Sequence, residues 1–240
     1  MPVAIVTGGT KGIGRAIVER LDDDGWDIVA TYAHDEDAAS ALTAARPNVA
    51  VRRRDVSSTN DCLATVSDAI DRFGALDHVI ACAATTGRSL LAETPDEEWD
   101  EVIAANLSGT FRLARAAIPA LATSARGRIV AVSSVAATMG NAGQGSYAAS
   151  KSGLVGLTKT LARELARSGT TVNLVIPGPT ADTSMTSGTD EVFVDAIVRK
   201  TPDGRLARPE EIAFAVRFFL DDLAAHVTGT SVTVDGGLSM

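Results

Sequence analysis

The sequence contains few of the residues that build metal centres or disulfides. It has only two cysteines, Cys62 and Cys82, and three histidines, His34, His78 and His226. The cysteines form no CxxC pair, and the histidines lie too far apart for a metal site on one helix or turn. We therefore expect no metal centre, and we interpret both thiols as small core residues.

Basic charge is also scarce, and long apolar runs are missing. Acidic residues outnumber basic ones by 30 to 22, which gives a formal net charge of −8. Such a surface repels a phosphate backbone, so generic nucleic-acid binding is excluded. The first residues lack the basic region of a secretory signal, and no apolar run approaches the roughly 18 residues that cross a bilayer. These absences predict a cytoplasmic protein that binds neither nucleic acid nor membrane.

Short β-branched segments alternate with longer segments of helical periodicity along the whole chain, as in a parallel sheet covered on both faces. The predicted strands lie near Val3–Thr7, Asp27–Tyr32, Val49–Arg54, Leu76–Ala81, Arg128–Ser133, Thr171–Ile176 and Ser231–Val234. The predicted helices lie near Gly12–Asp24, Thr59–Phe73, Asp96–Thr123, Tyr147–Ser168 and Pro209–Asp222. Because no composition break or repeat interrupts this alternation, residues 1–240 are predicted to form a single α/β domain with a doubly wound sheet of about seven strands.

One segment, from Pro177 to Pro202, is predicted to be irregular. It is rich in glycine, proline, serine and threonine, and it follows the carboxyl end of a strand, where open α/β sheets bind ligands. Its length exceeds that of an ordinary connection. We expect residues 177–202 to form a substrate lid, with a plain surface loop as the alternative.

A glycine-rich turn links the first predicted strand to the first helix. It reads Thr7-Gly8-Gly9-Thr10-Lys11-Gly12-Ile13-Gly14, with a wider first gap than the common GxGxxG. Glycines let the backbone approach a pyrophosphate, and the N–H groups at the start of a helix point toward its negative charge. The turn therefore predicts a dinucleotide-binding loop.

The end of the second strand bears on the choice of cofactor. An acid there would bind the ribose 2′-hydroxyl and repel a 2′-phosphate, but the chain reads Ala30-Thr31-Tyr32-Ala33-His34, and Lys11 offers a positive charge close by. Asp35, Glu36 and Asp37 follow, and their alternative interpretation is the acidic first turn of a helix. NADP(H) is predicted as the preferred cofactor, and NAD(H) stays open.

Tyr147 and Lys151 are spaced to project from one face of a helix. An ammonium group there favours the phenolate, so we expect Lys151 to lower the pKa of Tyr147 and let it exchange a proton with a substrate oxygen. Ser134 follows a predicted strand at the carboxyl edge of the sheet, where its hydroxyl can bond the same oxygen. The three residues predict a carbonyl-reducing or alcohol-oxidising site.

At these residues the sequence resembles the short-chain dehydrogenase/reductase family. The resemblance covers almost the whole chain and is carried by Thr7-Gly8-x3-Gly12-x-Gly14, Asp55-Val56, Asn106, Ser134, Tyr147-x3-Lys151, Pro177-Gly178 and Val234-Asp235-Gly236-Gly237. Within the family it is most similar to 3-oxoacyl-[acyl-carrier-protein] reductases. The segments similar to theirs are Thr138 to Tyr147, Thr158 to Leu165 and Val227-Thr228-Gly229.

The resemblance implies a Rossmann-type fold and a role for each matching residue. Tyr147 would be the general acid, Lys151 would hold the nicotinamide ribose, Ser134 would orient the carbonyl, and Asn106 would hold a water that links Lys151 to solvent. Asp55 and Val56 would contact the adenine, and Pro177, Gly178 and Thr183 the nicotinamide end. The full expected cofactor set is Gly8, Thr10, Lys11, Gly12, Ile13, Gly14, His34, Asp55, Val56, Ala83, Tyr147, Lys151, Pro177, Gly178, Thr180 and Thr183.

Two segments depart from the family pattern. Ala81-Cys82-Ala83-Ala84 stands where the family has Asn-Asn-Ala-Gly, which puts cofactor affinity or local sheet contacts in doubt. The segment after Pro177 has one extra residue, so Thr180 is a rival to Thr183.

The resemblance implies an NADPH-dependent reductase of a 3-oxoacyl thioester, on acyl-carrier protein or coenzyme A, in fatty acid biosynthesis. The alternatives are a ketoreductase or alcohol dehydrogenase for a free ketone or polyketide intermediate, and a non-catalytic dinucleotide-binding sensor or scaffold. A carrier protein, being acidic, would dock on a basic patch, for which the candidates are Arg126, Arg128, Arg163 and Arg167. The family also implies a homotetramer, packed through the helices predicted at Asp96–Thr123 and Tyr147–Ser168.

Overall fold

The computed structural model describes residues 1–183 and 191–240. Their strands form one sheet of seven, in the order β3-β2-β1-β4-β5-β6-β7, and every neighbouring pair is parallel. The strands are β1 Val3–Thr7, β2 Asp27–Tyr32, β3 Ala50–Arg53, β4 His78–Ala81, β5 Arg128–Val132, β6 Thr171–Pro177 and β7 Ser231–Val234. The order turns back between β1 and β4, as in a doubly wound sheet, and the predicted fold class is confirmed.

Helices cover both faces of this sheet. In the described residues they are α1 Gly12–Asp23, α2 Glu36–Ala45, α3 Thr59–Phe73, α4 Asp96–Ile103, α5 Gly109–Leu121, α6 Ala136–Met139, α7 Gly145–Leu165, α8 Glu191–Lys200 and α9 Pro209–Leu220. The apolar side chains of α1 and α9 pack on one face, around Ile17 and Phe219. Those of α3, α5 and α7 pack on the other, around Leu113 and Leu161. Burial on both faces explains the continuous apolar strands.

Most predicted boundaries agree with the structure to within about two residues, the usual uncertainty of helix and strand ends. Two segments differ from the predicted elements. The alternative interpretation of Asp35, Glu36 and Asp37 is correct: a helix missing from those predicted, α2, begins there, and Asp35 accepts a hydrogen bond from the Ala38 N–H as its N-cap. The segment from Pro177 to Pro202 is not irregular throughout, because α8 occupies Glu191–Lys200. Residues 184–190 of that segment lie outside the described residues.

The helix predicted over Asp96–Thr123 is interrupted at its centre. A π-helical turn, Ala104–Ser108, joins α4 to α5 and contains the fully buried Asn106. Single π turns widen a helix locally and are frequent at functional sites. This turn lets the Asn106 side chain leave the regular helical path and point into the molecule.

Over residues 1–183 and 191–240, no helix is long and apolar enough to cross a membrane. The same residues contain no cluster of histidine, cysteine or acidic side chains that could hold a metal ion.

Candidate active site

The carboxyl ends of β1, β4, β5 and β6 meet at one edge of the sheet. The glycine-rich loop follows β1, Ser134 follows β5, and Pro177 ends β6. Tyr147 and Lys151 lie in the first two turns of α7, which packs beside this edge. The topology thus gathers residues from distant parts of the sequence at the crevice where open α/β sheets bind ligands.

The loop after β1 has a backbone that only glycine accommodates. Gly8 has φ +64°, and an added Cβ would lie 2.9 Å from the Cα of Ala83. At Gly14 an added Cβ would lie 2.1 Å from the main-chain oxygen of Gly8. In the described structure no side chain caps the start of α1, and its first turn carries no acid. This leaves the positive end of the helix open to an anion, as pyrophosphate binding requires.

Thr7 holds the main chain of Ala81-Cys82-Ala83-Ala84, the segment that departs from the family pattern. The Thr7 Oγ1 accepts hydrogen bonds from the N–H groups of Cys82 and Ala83, both at 3.1 Å. The end of β4 is therefore tied to the start of the glycine loop by a hydroxyl. Small side chains at Ala83 and Gly8 allow these two segments to approach closely.

Ser134, Tyr147 and Lys151 lie together. The Ser134 side chain lies beside the Tyr147 hydroxyl, close enough to act on its ionisation as a hydrogen-bond partner. Lys151 donates from Nζ to the main-chain oxygen of Val132 at 2.7 Å and lies 5.8 Å from the centre of the Tyr147 ring. The Ser133 hydroxyl donates to the main-chain oxygen of Lys151 at 2.9 Å, which fastens the second turn of α7 to the end of β5.

Burial dominates the ionisation of this group. It raises the pKa of Tyr147 to about 12, although the hydrogen bond with Ser134 works in the opposite direction. It lowers the pKa of Lys151 to about 8. The expectation that Lys151 lowers the pKa of Tyr147 was therefore wrong, because a buried phenolate loses its hydration and the Lys151 ammonium is directed at Val132.

Both N–H donors of the Asn106 side-chain amide are used inside the protein. Its Oδ1 accepts from the N–H of Thr85 at 2.8 Å, and its Nδ2 donates to the main-chain oxygen of Thr85 at 2.9 Å and to the Ser150 hydroxyl at 3.0 Å. Ser150 in turn donates to the main-chain oxygen of Tyr147 at 2.7 Å. The amide thus connects the segment after β4 to the first turn of α7.

The two rival threonines after β6 differ in position. Thr180 is 3% exposed, and its hydroxyl donates to the main-chain oxygen of Gly178 at 3.0 Å. Thr183 lies beside the glycine loop, because an added Cβ on Gly12 would be 3.5 Å from the Thr183 Cα.

Pro177 and Gly178, just before these threonines, are held by neighbouring main chain. Gly178 packs against Asp235, and its N–H donates to the main-chain oxygen of Val234 at 2.8 Å. Pro177 accepts from the Val135 N–H at 2.9 Å, which links the end of β6 to Ser134.

The remaining expected cofactor residues border the same crevice from β2 and β3. Asp55 accepts from the N–H of Ser57 at 2.8 Å, and Val56 packs against Gly109 of α5. In the glycine loop and at the start of α1, Thr10 is buried and Ile13 is partly buried against the core. His34 lies just after β2, partly exposed.

Charged residues crowd the end of β2. The Lys11 Nζ is 3.2 Å from the Asp35 Oδ2, although the two residues come from different loops. The Ala38 N–H and then Lys11 hold the pKa of Asp35 below its usual range. The end of β2 itself carries no carboxylate, but the Asp35 carboxylate lies within hydrogen-bond distance of Lys11 in the glycine loop.

Three residues that this geometry singles out were not expected. Thr85 and Ser150 carry no sequence signal, because their role depends on contacts with Asn106. Arg53 lies at the end of β3 beside Ala33, and its signal was the run Arg52-Arg53-Arg54.

Comparison with known proteins agrees with this geometry. A family model described as "Enoyl-(Acyl carrier protein) reductase" matches residues 8–239. Several relatives are 3-oxoacyl-[acyl-carrier-protein] reductases named FabG. The chain is 40% identical to the one from Escherichia coli strain K12 and 38% identical to the one from Vibrio cholerae, with 99% of this chain and 97% of each relative covered. It is 34% identical to the one from Staphylococcus aureus strain Mu50, with 99% and 98% covered.

Three observations indicate the same family: the parallel seven-stranded sheet, the glycine loop at its switch point, and the match over nearly the full length. The chain belongs to the short-chain dehydrogenase/reductase family, whose members are NAD(P)-dependent oxidoreductases that act on CH–OH groups.

Proposed function

We propose that this protein is an NADPH-dependent reductase that converts a 3-oxoacyl thioester, held by acyl-carrier protein or coenzyme A, into the 3-hydroxyacyl form. The observation that carries the proposal is the half-buried Ser134 side chain beside the buried Tyr147 hydroxyl at the carboxyl edge of the sheet, next to a glycine loop shaped for a dinucleotide. The names of the FabG relatives support the substrate class.

The crevice residues fit a nicotinamide dinucleotide. Gly8, Gly12 and Gly14 leave backbone space at the open end of α1, which suits a pyrophosphate. The bound cofactor would supply the hydride for the carbonyl carbon. We assign the adenine end to Asp55, Val56 and His34. The nicotinamide end is assigned to Ala83, Pro177, Gly178 and, of the two rival threonines, Thr183, because it contacts the glycine loop.

Tyr147 would supply the proton that the reduced carbonyl oxygen accepts. With a pKa of about 12 the phenol is protonated near neutral pH, as an unperturbed tyrosine also is, and it is still a stronger acid than the alcohol that the reduced carbonyl oxygen becomes. Ser134, beside the same hydroxyl, would orient the carbonyl oxygen. Lys151, anchored by Val132, would hold the nicotinamide ribose.

Asn106 is proposed as a positioning residue for this group. Its amide holds Thr85 and, through Ser150, the main chain of Tyr147. A lost amide would leave buried groups unpaired and let the first turn of α7 shift relative to the segment after β4.

NADP(H) is proposed as the preferred cofactor, with NAD(H) accepted less well. Lys11 offers a cation beside the end of β2, where a 2′-phosphate would lie. Asp35 opposes this preference, because its carboxylate is suited to a ribose 2′-hydroxyl. The balance of the two predicts a preference rather than an absolute requirement.

The expected docking patch of arginines is not supported by their positions. Arg128 is 2% exposed at the start of β5, and Arg126 lies 3.9 Å from Asp222. Arg163 lies roughly 24 Å along α7 from Tyr147, from the rise of 1.5 Å per residue. These arginines lie toward the amino edge of the sheet, away from the crevice, so they do not form a basic patch beside it.

We propose that the protein works as a single domain and assembles as a homotetramer. Small residues of the two helices expected at the interface have partners within the chain: Gly109 of α5 packs on Val56, and Gly153 of α7 on Leu107. Gly156 is exposed on α7, and Phe111 on α5 is 44% exposed, which leaves part of both helices available for subunit contacts. A mass near 24.8 kDa by light scattering would contradict the tetramer.

A substrate panel tests the proposed reaction. With NADPH, acyl-carrier-protein and coenzyme A 3-oxoacyl thioesters are compared with simple ketones and polyketide-like ketones. We expect higher kcat/KM for the thioesters. Higher kcat/KM for free ketones would identify a ketoreductase instead, and no turnover of any carbonyl despite dinucleotide binding would identify a sensor or scaffold.

A further inference from the structure

Three consecutive arginines end the edge strand of the sheet. Arg52, Arg53 and Arg54 lie on and just after β3, and Arg53 is in register with Tyr32, the last residue of β2. The side chains along a strand point alternately to its two faces. The run therefore sends neighbouring arginines to opposite sides of the sheet.

Two of the three arginines share one partner on α3. The Arg52 Nε lies 3.6 Å from one oxygen of Asp68, and the Arg54 Nη2 lies 2.7 Å from the other. This pairing accounts for both of them as structural contacts between β3 and α3.

Arg53 points the other way, across the end of β2. Its Nε donates to the main-chain oxygen of Ala33 at 3.2 Å, and its Nη1 lies 3.0 Å from Glu36 Oε1. Lys11 reaches the same turn from the glycine loop and pairs with Asp35. Two cations from different elements thus converge on residues 33–36, directly after the strand whose end meets the 2′ position of the adenosine ribose.

The partners of these two cations are held with different strength. The Arg53 and Glu36 side chains are 64% and 67% exposed, and ion pairs between exposed side chains contribute little to stability. Asp35 is held more firmly, because it also caps α2 through Ala38. A doubly charged phosphate would therefore displace Glu36 from Arg53 at little cost, while Asp35 stays in place.

We propose that Arg53 is a cofactor-specificity residue whose guanidinium binds the 2′-phosphate of NADP(H) together with Lys11, after exchanging Glu36 for the phosphate oxygens. This inference rests on the proposed use of NADP(H). It adds a second cation from β3, and it makes Glu36 an internal competitor of the phosphate.

Cofactor binding in the absence of substrate tests this assignment. NADP⁺ and NAD⁺ are titrated by calorimetry into the wild type, Arg53→Gln, Arg52→Gln and Glu36→Gln. We expect Arg53→Gln to weaken NADP⁺ binding about tenfold and to leave NAD⁺ binding within about twofold. Glu36→Gln is expected to tighten NADP⁺ binding roughly two- to fivefold. Arg52→Gln is the matched control. Arg54 still pairs with Asp68 in this variant, so the affinities for NADP⁺ and NAD⁺ are both expected to stay unchanged.

The outcomes separate this inference from the proposed function. If the wild type prefers NADP⁺ but Arg53→Gln leaves that preference intact, or weakens both dinucleotides equally, the assignment of Arg53 is overturned while the NADP(H) preference stands. If the wild type binds both equally, the cofactor preference itself fails, and Arg53 with it. Because no substrate is present, failure to reduce a 3-oxoacyl thioester has no bearing on either result.

Discussion

Asn106 and Thr85 exchange two hydrogen bonds, like neighbouring residues of two paired strands. The amide oxygen of Asn106 accepts from the Thr85 N–H at 2.8 Å, and its nitrogen donates to the Thr85 carbonyl at 2.9 Å. The contact is made from a π turn in the middle of a helix, and it fixes the segment that follows β4.

Asn106→Ala should therefore destabilise the fold and not only the site. Thr85 and Ser150 would lose partners in a buried region, where an unpaired polar group costs about 1–3 kcal/mol. Urea unfolding measures the loss, and Thr138→Ala, at an exposed residue of α6 whose hydroxyl bonds only the nearby Val135 main chain, serves as the control. An unfolding free energy within about 0.5 kcal/mol of the wild type would contradict the structural role.

Tyr147→Phe should abolish reduction but keep cofactor binding. The change deletes one hydroxyl and leaves the glycine loop untouched, and a positioned general acid contributes about 10²–10⁴-fold. Single-turnover rates and NADP⁺ affinity are measured together. Residual turnover above about a tenth of the wild-type rate would exclude Tyr147 as the proton donor.

Lys151 should make the protein more stable as pH rises from about 8 toward 10. Its pKa is about 8 in the folded protein, below that of an unfolded lysine, so the unfolded chain binds more protons in this window. Stability then increases with pH by up to roughly 1.4 kcal/mol per unit. The unfolding free energies of the wild type and Lys151→Met are measured across this pH range. Their difference cancels the contribution of all other titrating groups. Parallel stability curves for the two proteins would show that Lys151 keeps an ordinary pKa.

His78 should produce a trend of the same sign in acid, where stability also increases with pH. It is buried beneath Trp26, with ring centroids 4.7 Å apart, and burial lowers its pKa to about 3. The unfolded histidine binds a proton below about pH 6.5, so stability falls as pH decreases from there, by up to roughly 1.4 kcal/mol per unit. His78→Phe keeps the stacking and should lack this slope between pH 6.5 and 5. The prediction fails if the slope persists in the variant.

The helix α8 should become protected when ligands bind. We propose that it is the described part of a substrate lid: it follows β6 beside the crevice, and Val192 is 69% exposed. Hydrogen exchange of residues 191–200 is compared without ligand and with NADP(H) plus substrate. High protection in the free protein that ligands leave unchanged would mean that α8 is a fixed part of the fold.

Local patterns in the sequence were enough to predict the parallel sheet, the glycine loop and the Tyr147–Lys151 spacing. Strand and helix periods depend on neighbouring residues, and the bounds of β1, β2, β7 and α3 agree with those predicted. The helix α2 was not predicted, although its acidic first turn was noted, because the segment is short and weakly amphipathic. Its start was fixed by the cap at Asp35.

The tertiary structure alone decided how the site residues act on one another. Burial, which depends on the whole fold, raises the pKa of Tyr147 where the helical spacing had suggested that Lys151 would lower it. The partner of Asn106 and the neighbour of Lys11 are set by contacts between segments far apart in the chain. A sequence pattern reports which residues share a helix face or a strand end, whereas hydrogen-bond partners and hydration follow only from how those elements pack.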